Sequence, residues 1–313
     1  TGWRINKSNG NVYFEANRHD ETDKQFSAFY NNTVITGKSG TQGPEELDDL
    51  LDMIFAQQEV AKHIVRTLYR WFIYYDIDET TENNVITPLA NIFRNGNYEI
   101  KPVLEALLRS EHFYDVANRD ALIKNPVDFT AGIIRNFDVE LPGANEYIGQ
   151  YQSWATLYNT ARGQQMQLGD PPSVAGWPAY YQIPQYHELW INSDTLPSRN
   201  KITDAMISYG INISGTRYKI DPIKYNKKLS NPGNPNDVID DMLLHLHTLE
   251  VDQAQKDYMK SILLGGQIND SYWTNAWQNH INYPNSETKA TVVSSRLAFL
   301  IKYLMNLAEF QLS

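Results

Sequence analysis

Apolar residues recur at helical spacing over most of this chain. Leu47, Leu50, Leu51 and Ile54 follow the 3.6-residue period, and Pro44 suits the first turn of such a helix. The same pattern predicts ten further helices, at about residues 59–72, 84–94, 101–113, 126–137, 145–166, 195–209, 237–249, 252–264, 271–282 and 287–310. The sequence therefore predicts a mainly α, multi-helix globular fold.

Short β-prone runs lie outside the predicted helices. Val12–Phe14 and Thr33–Ile35 are bounded by Asn and Gly, and Ile211–Ile223 looks extended, with Gly215 as a turn. These runs predict minor β-hairpins. The segment Asn231–Asn236 is the best candidate for a linker. We therefore predict three parts: a β or irregular segment at residues 1–40, a main helical domain at 41–230, and a C-terminal helical part at 231–313 packed on the main domain.

Residues 167–199 interrupt the helices with a long loop rich in Pro, Gly and aromatic residues. Its prolines are Pro171, Pro172, Pro178 and Pro184, and its large aromatics are Trp177, Tyr180, Tyr181, Tyr186 and Trp190. Such a loop is expected either to pack across a core or to line a site. We predict that Asp170–Trp177 is ordered and substantially buried, and that Gly176 lies where a side chain would clash.

Composition narrows the classes of partner. Lys and Arg total 27 against 37 Asp and Glu, for a net charge of −10. This balance argues against nucleic acid, whose binding depends on neutralising phosphates, and against anionic membrane surfaces. The chain has no Cys, so thiolate chemistry and disulfides are excluded. No apolar run is long enough for a transmembrane segment.

Two places carry candidate acid–base residues. His19 and Asp20 are adjacent near the N-terminus, and His187 and Glu188 are adjacent in the central loop. Each pair could act as general acid and base, whereas the alternative for His19-Asp20 is a polar turn in which Asp bonds the local backbone. No second His lies at ligand spacing, so no metal site is predicted. No cofactor is predicted either.

The helix that begins near Glu59 has one apolar face and one basic face. The predicted apolar face consists of Val60, Ile64, Val65, Leu68, Trp71 and Phe72. On the other face His63, Arg66 and Arg70 are three and four residues apart. They could bind an anion together, or they could form a solvated face that pairs with local acids. We expect Arg66 and Arg70 to pair with acids such as Asp128 or Asp170.

Motifs along the chain resemble the bacterial family of domain of unknown function 1800 (DUF1800). In chain order they are Thr1-Gly2-Trp3, His19-Asp20 with Lys24, Ile64–Phe72, Lys124–Phe129 with Gly132, Asp170–Pro178, Trp190-Ile191, Arg199 and Ala308–Gln311. The string Pro-Pro-Ser-Val-Ala-Gly-Trp-Pro at 171–178 is the most specific. The resemblance implies a mainly helical, usually exported protein with no established activity. It also suggests that the chain is the C-terminal part of a longer one, and it implies a periplasmic or extracellular location.

Three classes of function remain open. The first is a binding or scaffold protein of the cell envelope with a carbohydrate or envelope protein as partner, the second a hydrolase with a His/carboxylate site, and the third a structural component of a cell-surface assembly. The candidate ligand-binding residues are Arg66, Arg70, Lys124, Asp170, Trp177, Trp190 and Arg199. Exposed aromatic residues would favour the first class, a perturbed His or carboxylate in a cleft the second, and a large apolar patch outside any cleft the third. We rank the binding or scaffold protein first.

Overall fold

The computed structural model describes residues 1–177, 187–247 and 250–313. It divides the chain into two compact units, residues 1–115 and residues 116–313. Helices dominate both units, and the strands that are described form only two-stranded sheets. The mainly α, multi-helix fold with minor β-hairpins is thereby confirmed. Within the described part of the chain, no helix is both long enough and apolar enough to cross a membrane.

The first unit opens with two small antiparallel hairpins. Strand β1 (Trp3–Ile5) pairs with β2 (Val12–Phe14), and Trp3 lies opposite Phe14. Strand β3 (Lys24–Gln25) pairs with β4 (Val34–Ile35). Each pair contains one of the β-prone runs that the sequence indicates, and each turn contains Asn. The hairpins precede the helices and carry the residues around His19.

The first unit also contains five α-helices and one π-helical segment. They are α1 (Glu45–Phe55), α2 (Gln58–Phe72), α3 (Glu79–Thr81), the π segment (Glu82–Ile86), α4 (Thr87–Asn95) and α5 (Ile100–Leu108). The buried face of α2 consists of Ala61, Val65 and Tyr69, spaced four residues apart. The predicted face is therefore partly wrong, since Trp71 is 71 % exposed.

The π segment has a local cause. The N–H of Thr87 bonds the carbonyl of Glu82 five residues earlier, and the hydroxyl of Thr87 donates to the same carbonyl at 2.9 Å. The next residue, Pro88, has no N–H with which to form an ordinary helical bond. Such segments are frequent at functional sites. Here the π segment presents Glu82, which pairs with a basic residue of α2.

Within its described residues, the second unit contains eight α-helices and one hairpin. They are α6 (Pro126–Asn136), α7 (Tyr147–Gly163), α8 (Thr195–Ser208), α9 (Pro222–Asn226), α10 (Pro235–Leu246), α11 (Gln253–Leu263), α12 (Ser271–Asn282) and α13 (Glu287–Asn306), with β5 (Ile211–Ile213) and β6 (Thr216–Tyr218). The hairpin turns at Ser214 and Gly215, whose φ angles of 52° and 87° give the turn that suits two twisted strands. Gly215 is thus confirmed as a turn residue.

The core of the second unit surrounds α13. Leu297, Leu300, Ile301 and Leu304 of this helix are completely buried. They belong to a cluster to which helices α6, α8, α10, α11 and α12 also contribute. A separate cluster of buried residues from α2, the π segment, α4 and α5 forms the core of the first unit. Each unit therefore has a hydrophobic core of its own.

The linker candidate Asn231–Asn236 lies inside the second unit. The carbonyl of Pro232 accepts from the indole of Trp273 at 3.0 Å and from the amide of Asn226 at 3.2 Å. Helix α10 then starts at Pro235 and is capped by Asn234. This segment is a packed turn, and the division into units at 115/116 falls within the predicted domain 41–230. The three predicted domains stay a prediction.

Candidate functional site

The end of the chain is held in an antiparallel bridge inside the second unit. The N–H of Lys124 donates to the carbonyl of Gln311 at 2.8 Å, and Leu122 and Ser313 exchange bonds of 3.2 and 2.8 Å. Ile123 lies opposite Leu312. The motifs at Lys124–Phe129 and Ala308–Gln311 are far apart in sequence, and this bridge brings them together.

Arg199 completes this cluster from α8. The side chain of Arg199 is fully buried, its Nη2 donates to the carbonyl of Lys124 at 2.7 Å, and its Nη1 donates to Gln311 Oε1 at 3.4 Å. Its guanidinium lies 4.8 Å from the centre of the Phe129 ring. Among the residues that the structure describes, no carboxylate lies within ion-pair distance of Arg199. Burial lowers the pKa of Arg199 to about 10.

The side chain of Lys124 makes similar contacts to a main-chain carbonyl and an aromatic ring. Its Nζ donates to the carbonyl of Phe310 at 2.9 Å and lies 4.8 Å from the centre of that ring. Burial lowers the pKa of Lys124, although the charge of Asp120 opposes this. Lys124 and Arg199, two of the predicted ligand-binding residues, therefore bind main-chain carbonyls within the chain. Their contacts are those of a clasp within the chain rather than of an open anion site.

The start of α6 explains the motif at Lys124–Phe129. The side chain of Asn125 accepts hydrogen bonds from the N–H groups of Val127 and Asp128 at 2.9 and 3.0 Å, which caps the helix. Pro126 occupies the first turn, where its missing N–H costs nothing. The cap fixes the path of the chain just before the helix and so positions the carbonyl of Lys124 for Arg199.

His19 and Glu46 form a buried hydrogen-bonded contact in the first unit. His19 Nε2 lies 3.0 Å from Glu46 Oε1, and the two side chains are only 5 % and 9 % exposed. Lys24 Nζ lies 2.7 Å from the other carboxylate oxygen, and the N–H of Lys38 donates to Oε1 at 2.5 Å. Burial raises the pKa of Glu46, but the bonds from Lys24, Lys38 and His19 outweigh it and hold the pKa at about 2. Glu46 is thus ionised.

Asp20 forms the polar turn that was the alternative to acid–base chemistry. Its Oδ1 accepts from the N–H and the hydroxyl of Thr22 at 2.9 and 2.8 Å, and these bonds lower the pKa of Asp20. Gly2 lies beside Phe14 and His19: it has φ +79°, and an added Cβ would lie 2.6 Å from the ring of Phe14. The motifs around Gly2 and His19 therefore have a structural reason.

Arg66 and Arg70 have separate partners. Arg66 donates through Nε and Nη2 to the two carboxylate oxygens of Glu82 at 2.8 and 2.7 Å, and through Nη1 to Glu59 at 2.5 Å. These bonds raise the pKa of Arg66. Arg70 donates to the carbonyl of Tyr75 at 3.3 Å. The expected partners of Arg66, Asp128 and Asp170, were wrong, because acids from α2 and the π segment lie within reach.

The central loop differs from its prediction. Residues 170–175 are exposed, so the expectation of substantial burial was wrong. Asp170 accepts from the amide of Gln167 at 2.8 Å. An added Cβ at Gly176 would meet nothing within 4 Å, so the glycine is required by its φ of +93° and not by crowding.

The two tryptophans of this loop, Trp177 and Trp190, do pack together. Trp177 is half-buried, and its ring meets the fully buried Trp190 edge-on at 5.1 Å. His187 is half-buried, which lowers its pKa, and Glu188 is exposed. The other loop residues of interest lie outside the described residues: Pro178, Tyr180, Tyr181, Pro184 and Tyr186.

An exposed row of aromatic rings lies on α7, outside the candidate site residues that the sequence indicated. Tyr147, Tyr151 and Trp154 are 64 %, 65 % and 53 % exposed, and we call them the aromatic strip. Their i, i+4, i+7 spacing places them on one helix face, and this spacing was readable in the sequence. The rings of Tyr151 and Trp154 lie 5.2 Å apart at 73° to one another. The buried side of the helix carries Gly149, Ser153 and Ala161.

The described part of the chain contains no group of three or more His, Asp or Glu residues that could hold a metal ion. No curated protein and no solved structure matches the chain. A family model described as "Protein of unknown function (DUF1800)" matches residues 1–312, and it covers every motif placed above. The chain belongs to the DUF1800 family.

Proposed function

We propose that this chain is a carbohydrate-binding protein of the bacterial cell envelope and that sugars bind at the aromatic strip of α7. The observation that carries the proposal is the exposure of Tyr147, Tyr151 and Trp154 on one face of a helix. Tyr and Trp combine an apolar ring with a polar edge, and large exposed apolar groups in a row mark interaction sites. The flat C–H face of a sugar ring complements such a side chain, whereas its hydroxyl groups need polar neighbours.

The surroundings of the aromatic strip supply those polar groups. Gln150 and Gln152 lie between its members in sequence. The Oε1 of Gln152 accepts from the hydroxyl of Ser214 at 2.5 Å, which leaves the amide NH₂ of Gln152 as a donor. No acidic or basic residue lies between Tyr147 and Trp154. These features support a neutral, hydroxyl-rich ligand.

The angle between the rings indicates the form of the ligand. Tyr151 and Trp154 meet at 73° and therefore form a corner. A corner can hold one sugar unit against one ring while the edge of the sugar meets the other ring. The flat surface of a crystalline polysaccharide would require rings that lie in one plane. We therefore propose soluble oligosaccharides or chain ends as the ligands.

The first pair of candidate acid–base residues is used by the fold. His19 contacts Glu46, and Asp20 is used by Thr22 in a turn, so this pair does not have the arrangement of two carboxyl groups that flank a glycosidic bond. The envelope location in this proposal rests on the resemblance of the chain to the DUF1800 family, which implies a usually exported bacterial protein. Fractionation of the native bacterium into cytoplasm, periplasm, membranes and medium would test that location.

Calorimetric titration with a panel of soluble oligosaccharides tests the proposed ligand. We expect binding by the wild type and a loss of at least tenfold in affinity in Tyr151→Ala and in Trp154→Ala, without a change in melting temperature. Tyr209→Ala is the matched control, because Tyr209 is 60 % exposed and lies outside the aromatic strip. Absence of binding to every oligosaccharide, or equal affinity in all the variants, would overturn the proposal.

A further inference from the structure

Helices α12 and α13 enclose a polar groove on the surface of the second unit. The α12–α13 groove has a volume of about 550 Å³, which lies in the range of ligand sites. Its α12 side carries Tyr272, Asn275 and Asn279, and its α13 side carries Lys289 and Val292. Neither the family resemblance nor the proposed sugar site uses any of these residues.

The amide side chains of the groove have free bonding capacity. Within residues 1–177, 187–247 and 250–313, neither the side chain of Asn275 nor that of Asn279 has a hydrogen-bond partner, and both residues are exposed. Each side chain offers a carbonyl acceptor and an NH₂ donor on the same planar group. A peptide group also presents one acceptor and one donor. An Asn side chain can therefore bond a peptide group through both of its atoms.

The spacing of these residues matches an extended chain. Asn275 and Asn279 are four residues apart on α12, which corresponds to a rise of about 6 Å. Peptide groups that point the same way in an extended chain recur every second residue, at roughly 6.6–6.8 Å. One extended segment along α12 could thus bond both amides. Trp273 and Trp277, which are buried on the opposite face, fix the orientation of the helix.

The charge of the groove selects among peptides. Its lining contains no Asp or Glu, although the whole chain has a net charge of −10. Lys289 is its charged group: the ammonium lies 3.3 Å from the centre of the Tyr283 ring and has no ion-pair partner in the described part of the chain. An acidic side chain on the ligand would supply that partner.

We propose that the α12–α13 groove binds an extended acidic peptide segment. Asn275 and Asn279 form hydrogen bonds with its main chain, and Lys289 pairs with its carboxylate. This inference is independent of the proposed sugar site. It gives the protein a second kind of partner, an acidic protein segment or tail. A protein that binds both would connect a sugar to a polypeptide.

A defined peptide library tests the inference. We would print acetylated octapeptides on glass, a support free of polysaccharide, and measure the affinity of the best sequences by fluorescence anisotropy. We expect the best sequences to contain Asp or Glu at a fixed position. Methylating the main-chain nitrogen of a peptide group that meets Asn275 or Asn279 should lower affinity about tenfold, since that change removes a main-chain donor and leaves every side chain of the peptide in place.

Variants of the protein complete the test. Asn275→Ala and Asn279→Ala should each lower affinity about tenfold. Lys289→Gln should abolish the preference for acidic residues. Gln278→Ala is the matched control, because Gln278 is exposed on α12 and bonds Asn282 away from the groove. Tyr151→Ala should leave peptide binding unchanged, so this inference and the sugar proposal can fail separately.

Three outcomes would overturn the inference. The first is a library in which no octapeptide binds above the level of a scrambled neutral sequence. The second is equal affinity in wild type and in the double variant of Asn275 and Asn279. The third is binding of acidic oligosaccharides at the groove in place of peptides, detected as a loss of their binding in Lys289→Gln.

Discussion

At the residue scale, the motif residues with the strongest chemical character serve the fold. His19, Arg66 and Arg199 each place a cationic or polar head against protein atoms. Their partners are different. His19 contacts the carboxylate of Glu46, Arg66 binds both oxygens of a carboxylate, and Arg199 donates to a main-chain carbonyl. Arg199 is the most costly of the three to bury, because its charge has no opposite charge beside it among the described residues. A basic residue within a motif therefore does not by itself indicate a ligand.

The first prediction concerns Glu46 and pH. Its pKa in the folded protein is about 2, below its ordinary value of 4.5, so the unfolded chain binds more protons between these values. The stabilisation by Glu46 is therefore complete above about pH 4.5 and is lost as the pH falls towards 2. Urea unfolding at a series of pH values measures this loss.

Glu46→Gln separates this effect from that of other acids. We expect the variant to be less stable at neutral pH by roughly 1.5–3 kcal/mol, because bonds to a charged group are lost. The difference from the wild type should then shrink as the pH falls. Glu45→Gln is the control, since Glu45 has only an exposed contact with Lys38 at 3.4 Å. A difference that stays constant with pH would contradict the assignment.

At the element scale, the central loop is defined by the packing of its two tryptophans. Trp190 lies in a short 3₁₀ turn before α8 and is completely buried, and its carbonyl accepts from the hydroxyl of Thr195 at 3.0 Å. Trp177 covers one edge of it, whereas residues 170–175 face solvent. The loop is therefore anchored at Trp190, and the stretch at 170–175 lies at the surface.

The second prediction compares these two residues. Trp190→Ala should destabilise the second unit by roughly 3–5 kcal/mol, as for a buried aromatic residue. Trp177→Ala should cost only about 1–2 kcal/mol, because the ring is half-buried and contributes mainly an edge-to-face contact. Denaturant unfolding measures both. Equal losses would contradict the assignment of Trp190 as the anchor.

The elements also show what the sequence could predict. Periodic apolar stripes indicated most helices, because each helix buries one face and the pattern records that face. The π segment was missed, since periodicity does not reveal which carbonyl a given N–H bonds. The contact between His19 and Glu46 was missed too: the two residues are 27 positions apart, and no local pattern relates them. The aromatic strip had a readable spacing, but spacing does not tell an exposed row from a buried one.

At the scale of the whole molecule, hydrophobic packing is divided between two clusters. One lies within residues 1–115 and the other within residues 116–313. Leu107 is 1 % exposed in the first cluster, and Leu297 is completely buried in the second. Two units with separate cores need not unfold in a single transition.

The third prediction uses these two leucines as a matched pair. Leu107→Ala and Leu297→Ala should each cost roughly 2–5 kcal/mol. Differential scanning calorimetry should show two transitions in the wild type, and each variant should lower the temperature of a different one. If both variants shifted one common transition by the same amount, the units would be unfolding as a single cooperative body.

The π segment makes the first unit sensitive to the length of the chain at one point. Removing a single residue, such as Asn83, would let the segment wind as an ordinary α-helix. The residues before the deletion would then turn by about 100° around the helix axis relative to the residues after it. Glu82 would rotate away from Arg66, while the buried Ile86 and Leu89 could keep their places. A change in length alone, with no change in any contacting side chain, would thus disconnect α2 from its carboxylate partner.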